Sequence, residues 1–226
     1  MTWPKDAPAV VSPEIEQSYR ILRARIDLSR LPKLSRDVTE RVIHASADFD
    51  YFTDLVCTEE ALEEGVAALA AGAPVIADNA MVAVGIIGCP VVCKINERLT
   101  QRLARTASIT RAAAAVRLAF GEAGPGAVWV VGGSAAALWE VLNRRVEPAF
   151  VVGMPVGFVG ASDAKDALRA SGLRSVSNVS EKGGPAVAVA AFNALLVPAL
   201  AVDGSLAGWG PDGQPDGVAA DDGASW

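Results

Sequence analysis

Short apolar segments rich in β-branched residues alternate with helical segments through the middle of the chain. Strands are predicted at 74–78, 91–95, 127–131 and 149–153, with a weaker candidate at 175–179. Neighbouring parallel strands need a crossover connection, usually a helix, so this alternation predicts a parallel-type central sheet with helices on both faces. The hydrophobic fraction of 51%, much of it alanine and valine, fits a sheet that is buried on both sides. We therefore expect an α/β fold with three layers, α/β/α.

A helical region precedes the sheet. Apolar residues recur at helical spacing from residue 14 to residue 28, a second helix is predicted after Ser35, and a third over 59–71. The helices between and after the strands are predicted at 79–84, 100–107, 110–120, 134–143, 162–170 and 184–196.

The two ends of the chain lack these patterns. Residues 203–226 are rich in glycine, aspartate and proline and have no hydrophobic periodicity. We expect an N-terminal extension over 1–11, a single α/β domain over 12–202 and a flexible acidic tail over 203–226.

Charge and cysteine content restrict the partners and the compartment. The formal net charge is −6, which argues against a nucleic-acid partner. The three cysteines show no paired CxxC spacing, so we expect no disulfide, no metal site and a reducing, cytoplasmic environment. No signal peptide is evident. Residues 183–202 approach the length of a membrane span, but they contain Asn193 and two prolines, so a buried helix is the better prediction.

Two predicted strands end in glycine-rich turns. Gly132, Gly133 and Ser134 follow one strand, and Gly153 to Gly160 follow the next. Such turns can present backbone N–H groups to an anion, or they can simply allow close packing. Neither turn matches the dinucleotide or phosphate-loop fingerprints, so a nucleotide cofactor is poorly supported and none is predicted.

His44 is the only histidine in the chain, and it follows Arg41 by three residues. On a helix both side chains project from the same face. The pair can be a surface histidine beside a solvated arginine, or an acid/base group with an anion-binding neighbour. Asp48 and Asp50 follow closely and can orient the imidazole or form a turn. The spacing alone leaves these alternatives open.

Six blocks of the sequence together resemble one family, the precorrin-8X methylmutases, also called cobalt-precorrin-8 methylmutases, over roughly residues 12 to 197. The blocks RVIHASADFDY and MPVGFVGA are the most specific of the six. The others are EIEQSYRILRARIDLS, GAPVIADNAMVAVGI, SITRAAAA and EKGGPAVAVAAFNAL, and all six occur in the family's order.

The resemblance implies a fold, a reaction and a set of site residues. The family moves a methyl group from C-11 to C-12 of a tetrapyrrole, giving hydrogenobyrinate, or cobyrinate when cobalt is present, without an added cofactor. The resemblance also implies a homodimer with the site near the interface. His44 would be the catalytic proton donor and acceptor. The substrate would be bound by Ser18 and Arg41, with further contacts from Arg111, Gly132, Gly133 and Lys182.

The chain departs from the family pattern at Ser108, Gly133 and Pro185, where asparagine, asparagine and serine are frequent. Two other functions are compatible with the sequence. One is a non-catalytic tetrapyrrole-binding or hand-over protein. The other is a transferase that uses a nucleotide or S-adenosylmethionine, which the glycine-rich turns suggest.

Overall fold

The computed structural model describes residues 13–202, and side chains as far as residue 200. The predicted extension 1–11 and the predicted acidic tail 203–226 lie outside the described residues. The described helices are α1 Pro13–Arg25, α2 Lys33–Ser46, α3 Tyr51–Asp54, α4 Glu59–Ala70, α5 Ala80–Gly85, α6 Arg98–Thr106, α7 Arg111–Ala123, α8 Ala135–Asn143, α9 Ala161–Ala170 and α10 Pro185–Val202. The strands are β1 Leu55–Val56, β2 Val75–Ala77, β3 Val91–Val92, β4 Val128–Val131, β5 Phe150–Gly153 and β6 Ser175–Asn178.

The six strands form one sheet in the order β1-β6-β5-β4-β2-β3. All neighbours run parallel except β1, which pairs antiparallel with β6 through Leu55 opposite Asn178. The parallel-type sheet is therefore confirmed, with one antiparallel edge that the sequence patterns did not predict. Strand β1 has only two residues, which is too short for a periodic signal.

Residues of β4 alternate between two hydrophobic cores, one on each face of the sheet. Val128 and Val130 pack in the core that contains α1, α2, α4 and α10. Trp129 and Val131 pack in the core that contains α7, α8 and α9. Helices therefore cover both faces, and the predicted three-layer arrangement is confirmed.

Helix α10 is buried, as the sequence predicted for residues 183–202. Phe192 and Leu195 are fully inaccessible to solvent in the same core as Val38 and Val42 of α2. Among residues 13–202, no helix combines the length and the apolar composition needed to cross a bilayer.

Asp54, at the end of α3, fixes the loop after β6 to the antiparallel edge. Its Oδ1 accepts hydrogen bonds from the backbone N–H groups of Val179 and Ser180, at 3.1 and 2.7 Å. Its Oδ2 accepts from Ser180 Oγ at 2.8 Å and from Asn178 Nδ2 at 2.9 Å. One carboxylate thus joins segments that are more than a hundred residues apart in the chain.

We predict that Asp54→Asn makes the stability of the protein less dependent on acid pH. Burial by itself raises the pKa of Asp54, but hydrogen bonds from Asn178 and Ser180 and the charge of Lys165 outweigh it, so the pKa is lowered. The folded pKa therefore lies below the unfolded value of about 3.9, and the carboxylate's stabilisation is present above that value and disappears as pH falls through the folded pKa. At pH 7 the variant should lose about 1–3 kcal/mol of unfolding free energy.

Denaturant unfolding at pH 7 and at pH values from about 4.5 downward tests this, with Asp163→Asn, an exposed carboxylate of α9, as the control. The difference in unfolding free energy between Asp54→Asn and the wild type should become smaller as pH falls. An unfolding free-energy difference that stays constant over this range would contradict the assigned role of the carboxylate.

Candidate functional site

His44 lies in the last turn of α2, partly exposed, with its imidazole held from two sides by α1. Nδ1 lies 3.0 Å from Ser18 Oγ. The ring of Tyr19 stacks on the imidazole, with the ring centroids 4.7 Å apart and an angle of 11° between the planes. The serine contact occupies Nδ1 and leaves Nε2, on the other side of the ring, available to a ligand.

An ion pair attaches α1 to α2 beside these contacts. Arg23 donates from Nε and Nη2 to the two carboxylate oxygens of Glu40, both at 2.8 Å. Two parallel bonds between planar groups restrict orientation more than a single contact does. The guanidinium carbon of Arg23 also lies 5.6 Å from the centroid of the Tyr19 ring. The pair therefore fixes the register in which Ser18 and Tyr19 meet His44.

A cavity of about 140 Å³ lies between three helices, partly open to solvent. Helix α2 contributes Arg41, His44 and Ala45, which share one face because of their three- and four-residue spacing. The other lining residues are Ile15 and Tyr19 of α1 and Ala190 and Asn193 of α10. A cation, an imidazole and an amide on otherwise apolar walls suit a flat ligand that carries anionic groups.

The structure brings together three of the predicted site residues, Ser18, Arg41 and His44. It gives Asp48 and Asp50 a role other than orienting the imidazole. Both carboxylates accept hydrogen bonds from Lys182 Nζ, each at 2.6 Å, and Asp50 N donates to Asp48 Oδ1 at 3.0 Å. The two aspartates form a turn, and their hydrogen bonds raise the pKa of Lys182.

The predicted site residue Lys182 therefore joins the segment before α10 to the end of α2. Buried Lys165 of α9 supports the same segment, because its Nζ donates to Asn178 Oδ1 at 3.0 Å, to the Lys182 carbonyl at 2.8 Å and to the Ser180 carbonyl. Burial lowers the pKa of Lys165 to about 8. Sequence reasoning missed Lys165, since its polar neighbours on α9 are typical of a solvated face.

Gly132 and Gly133 lie at the carboxyl end of β4, and an internal carboxylate occupies their N–H groups. Gly132 N donates to Asp78 Oδ1 at 3.1 Å and Gly133 N donates to Asp78 Oδ2 at 2.8 Å. Asn79 Nδ2 donates to Asp78 Oδ1 at 3.0 Å. Burial raises the pKa of Asp78, while these hydrogen bonds oppose the rise. The anion at this turn is the protein's own side chain, placed where a nucleotide phosphate would bind.

Close packing explains why this turn is made of glycine. A Cβ on Gly133 would lie 2.0 Å from Asn79 Nδ2, and one on Gly132 would lie 2.8 Å from Ala188 Cβ of α10. A larger residue at Gly133 would displace the Asn79 side chain, and one at Gly132 would force the turn away from α10.

Arg111 does not line the cavity that contains His44 in the same chain. It is the first residue of α7 and is exposed. Helix α7 packs through Val116 and Ala119 against the face of the sheet opposite α1, α2 and α10.

Five residues that line the cavity were not predicted as site residues, and two of them, Tyr19 and Asn193, carry polar groups. Tyr19 was assigned only to the apolar stripe of α1, although it follows Ser18 directly in the block that resembles the family. Asn193 was noted only as a polar residue inside an apolar helix, and that interruption was the available signal.

Comparison with known proteins gives one family. The family model described as precorrin-8X methylmutase matches residues 14–197. A cobalt-precorrin-8 methylmutase of Methanocaldococcus jannaschii is 40% identical over 70% of this chain and 77% of its own length. A precorrin-8X methylmutase of a Sinorhizobium species is 36% identical over 82% of this chain and 93% of its own.

A solved structure agrees with these relatives. The crystal structure of a precorrin-8X methyl mutase from Thermus thermophilus superposes with a TM-score of 0.74 at 33% identity, covering 83% of this chain and 96% of that one. The family model covers far more than half of the chain, and the residues it matches include His44. The chain therefore belongs to the precorrin-8X methylmutase family of methyl-shifting isomerases.

Proposed function

We propose that this protein moves a methyl group from C-11 to C-12 of precorrin-8X or cobalt-precorrin-8, giving hydrogenobyrinate or cobyrinate, with His44 as the proton donor and acceptor. The single observation that carries the proposal is the imidazole of His44, anchored by Ser18 and Tyr19 on the wall of a cavity. One ring nitrogen is bound by the protein, and the other can exchange a proton with a ligand.

A methyl shift needs one acid/base group that is used twice. Donation of a proton from Nε2 to a ring nitrogen of the tetrapyrrole withdraws electrons from the neighbouring carbons. The C-11–methyl bond then breaks as the C-12–methyl bond forms, and the methyl group moves with its bonding electron pair. Return of the proton to His44 restores the imidazole to its starting state and leaves the ring as the isomeric product, so no electrons are gained or lost. Imidazole suits both steps because it exchanges protons near neutral pH.

Arg41 is proposed to bind a carboxylate of the substrate. It lies one turn before His44 on the same face of α2 and lines the same cavity. A guanidinium can bind an acetate or propionate side chain through two charge-assisted hydrogen bonds, which orients the ring as well as holding it. Ser18 is proposed to contact substrate through the hydroxyl that also anchors His44.

The remaining proposed contacts lie around this centre. Gly133 offers exposed backbone without a side chain, and buried Gly132 would hold that turn against the start of α10. Lys182, already bound to Asp48 and Asp50, would contribute by holding the segment before α10 in place. Arg111 would act from across the sheet edge or from a second copy.

We predict that His44→Ala abolishes rearrangement while retaining binding. Loss of a positioned acid/base group should lower kcat by about 10²–10⁴-fold, whereas the Kd for the macrocycle should change by less than about threefold. Ser18→Ala, which removes the anchor of Nδ1 and the proposed hydroxyl contact with substrate but keeps the imidazole, is the graded comparison and should lower kcat by a smaller factor. Absorbance during turnover of precorrin-8X and absorbance titration with product give the two quantities.

Unimpaired turnover by His44→Ala would contradict the assignment. The same assay separates the two rival functions. Tight retention of precorrin-8X by the wild-type protein without spectral conversion would favour a binding or hand-over protein. Clear binding of a nucleotide or S-adenosylmethionine in calorimetry would favour a transferase, although Asp78 occupies the turn that suggested one.

We propose further that the protein is a homodimer. The cavity beside His44 has a volume of about 140 Å³, which is smaller than the roughly 300–1,000 Å³ of typical ligand pockets. Phe158 and Val159, between β5 and α9, are 96% and 92% exposed. Adjacent exposed apolar side chains form part of the kind of apolar patch that marks an interaction surface. A second copy packed there would cover these residues and supply further surface for the macrocycle.

We predict that replacing Phe158 and Val159 together with serine converts the dimer to a monomer in light-scattering measurements. Turnover at the same protein concentration should fall at least about tenfold, because a pocket completed by a second copy would be lost. Leu99→Ser, which removes an exposed apolar residue of α6, is the matched control and should leave both properties unchanged. A wild-type protein that is monomeric and fully active would contradict the proposal.

We place this reaction in the cytoplasm. The thiols of Cys57, Cys89 and Cys93 are all free, as is usual in a reducing compartment. The proposed partners are the tetrapyrrole and a second copy of the chain, with no nucleic acid.

A further inference from the structure

Helix α6 carries a row of three arginines that faces solvent. Arg98, Arg102 and Arg105 are spaced four and three residues apart, so their side chains project from one side of the helix. All three are exposed. The opposite side of α6 packs on the domain, where Thr100 is fully inaccessible to solvent. We call Arg98, Arg102 and Arg105 the α6 arginine stripe.

The side chains of the stripe have no ion pair and no hydrogen bond with any residue of 13–202. The carboxylate that precedes the stripe in the sequence, Glu97, instead accepts a hydrogen bond from Lys94 Nζ at 2.8 Å. On the neighbouring helix α7, by contrast, Arg117 donates to Glu140 at 2.7 Å. The three guanidinium groups of the stripe therefore keep their full capacity to bind an anion.

The stripe is unfavourable for α6 by itself. Like charges three and four residues apart on a helix repel one another. Arg98 is also the first residue of α6, where the positive end of the helix dipole disfavours a cation. A helix face that only meets solvent commonly mixes charges of both signs. An anionic partner would remove the repulsion, so the stripe fits a negatively charged surface or segment.

The acidic tail 203–226 has the matching charge. It contains five aspartates and no lysine, arginine or histidine, so it contributes five of the six net negative charges of the chain. The aspartates are Asp203, Asp212, Asp216, Asp221 and Asp222. The tail also contains Trp209 and Trp226, and the face of an indole ring attracts guanidinium cations. Leu99, 53% exposed and one turn before Arg102, offers an apolar contact beside the stripe.

We propose that the acidic tail 203–226 binds to the α6 arginine stripe of the same chain, with its aspartates on the guanidinium groups. Arginine and carboxylate form charge-assisted, often bidentate hydrogen bonds. The tail follows directly on α10, which ends at Val202, and 24 residues extend to at most about 80 Å. A compact domain of this size has a radius of gyration of only about 16 Å, so the stripe is within reach. Attachment to the same chain also gives the tail a high effective concentration at α6.

This surface is separate from the proposed site of the methyl shift. Helix α6 packs against α7, and α7 lies in the core on one face of the sheet. His44 lies on α2, which packs in the core on the other face. The proposal therefore stands whether or not the protein performs the proposed reaction.

Photo-cross-linking on the full chain tests the proposal. Benzoylphenylalanine in place of Trp209 is irradiated in dilute protein, and the cross-linked residues are identified by mass spectrometry. We expect the main cross-links to fall within residues 98–106 of the same chain. Combined Arg98→Gln, Arg102→Gln and Arg105→Gln should lower their yield at least about fivefold, and 1 M NaCl should do the same, because the Debye length falls from about 8 to about 3 Å.

The control replaces Arg30, Arg145 and Arg174 with glutamine, which makes the same change in net charge at exposed positions outside α6. It should change the yield less than about twofold, since exposed charges more than a Debye length away are largely screened. Replacement of all five tail aspartates with asparagine tests the same pairing and leaves α6 intact. Cross-links that fall mainly outside α6, that join only separate copies, or that survive both sets of substitutions would overturn the proposal.

Discussion

The attachment of α1 to α2 determines whether this protein has a functional site. A solitary imidazole near the end of a helix is an ordinary surface feature until something fixes its position. Here Ser18 bonds to one ring nitrogen and Tyr19 covers one ring face. The bidentate pair of Arg23 with Glu40 holds α1 in the register that makes both contacts possible. If α1 detached from α2, His44 would remain on α2, but Ser18 and Tyr19 would no longer orient its imidazole.

The surrounding loops are held by charged groups that the protein pairs with one another. Lys182 bonds to Asp48 and Asp50, and Lys165 and Asp54 fix the segment after β6. At the carboxyl end of β2, Asp78 accepts hydrogen bonds from the N–H groups of Gly132 and Gly133. The polar residues that line the cavity, Tyr19, Arg41, His44 and Asn193, are separate from these pairings. The proposed catalytic centre therefore lies among helices on one face of the sheet, and the glycine turn at the end of β4 would add only peripheral contacts.

Much of the fold follows from the sequence because its signals are local. Runs of valine located β4 and β5 to within a residue, and Asn79 and Thr110 begin helices as side-chain caps for Val82 and Ala113. Strand β1 was missed because its two residues carry no pattern, and its place depends on Asp54 bonding to residues far along the chain. Arg41 and His44 were placed on one face by their spacing alone. The partners of Asp48, Asp50 and Gly133, and the buried oxygen of Asn193, depend on tertiary contacts that no local pattern encodes.

The central claim is that one imidazole performs the proton exchange of the rearrangement. Because the chain has a single histidine, its ring nitrogen resonances can be followed by NMR without assignment ambiguity. The account predicts that saturation of the protein with the macrocycle shifts the Nε2 resonance of His44, because that nitrogen would exchange the proton with the ligand. An Nε2 resonance that does not respond to the bound macrocycle would contradict the account.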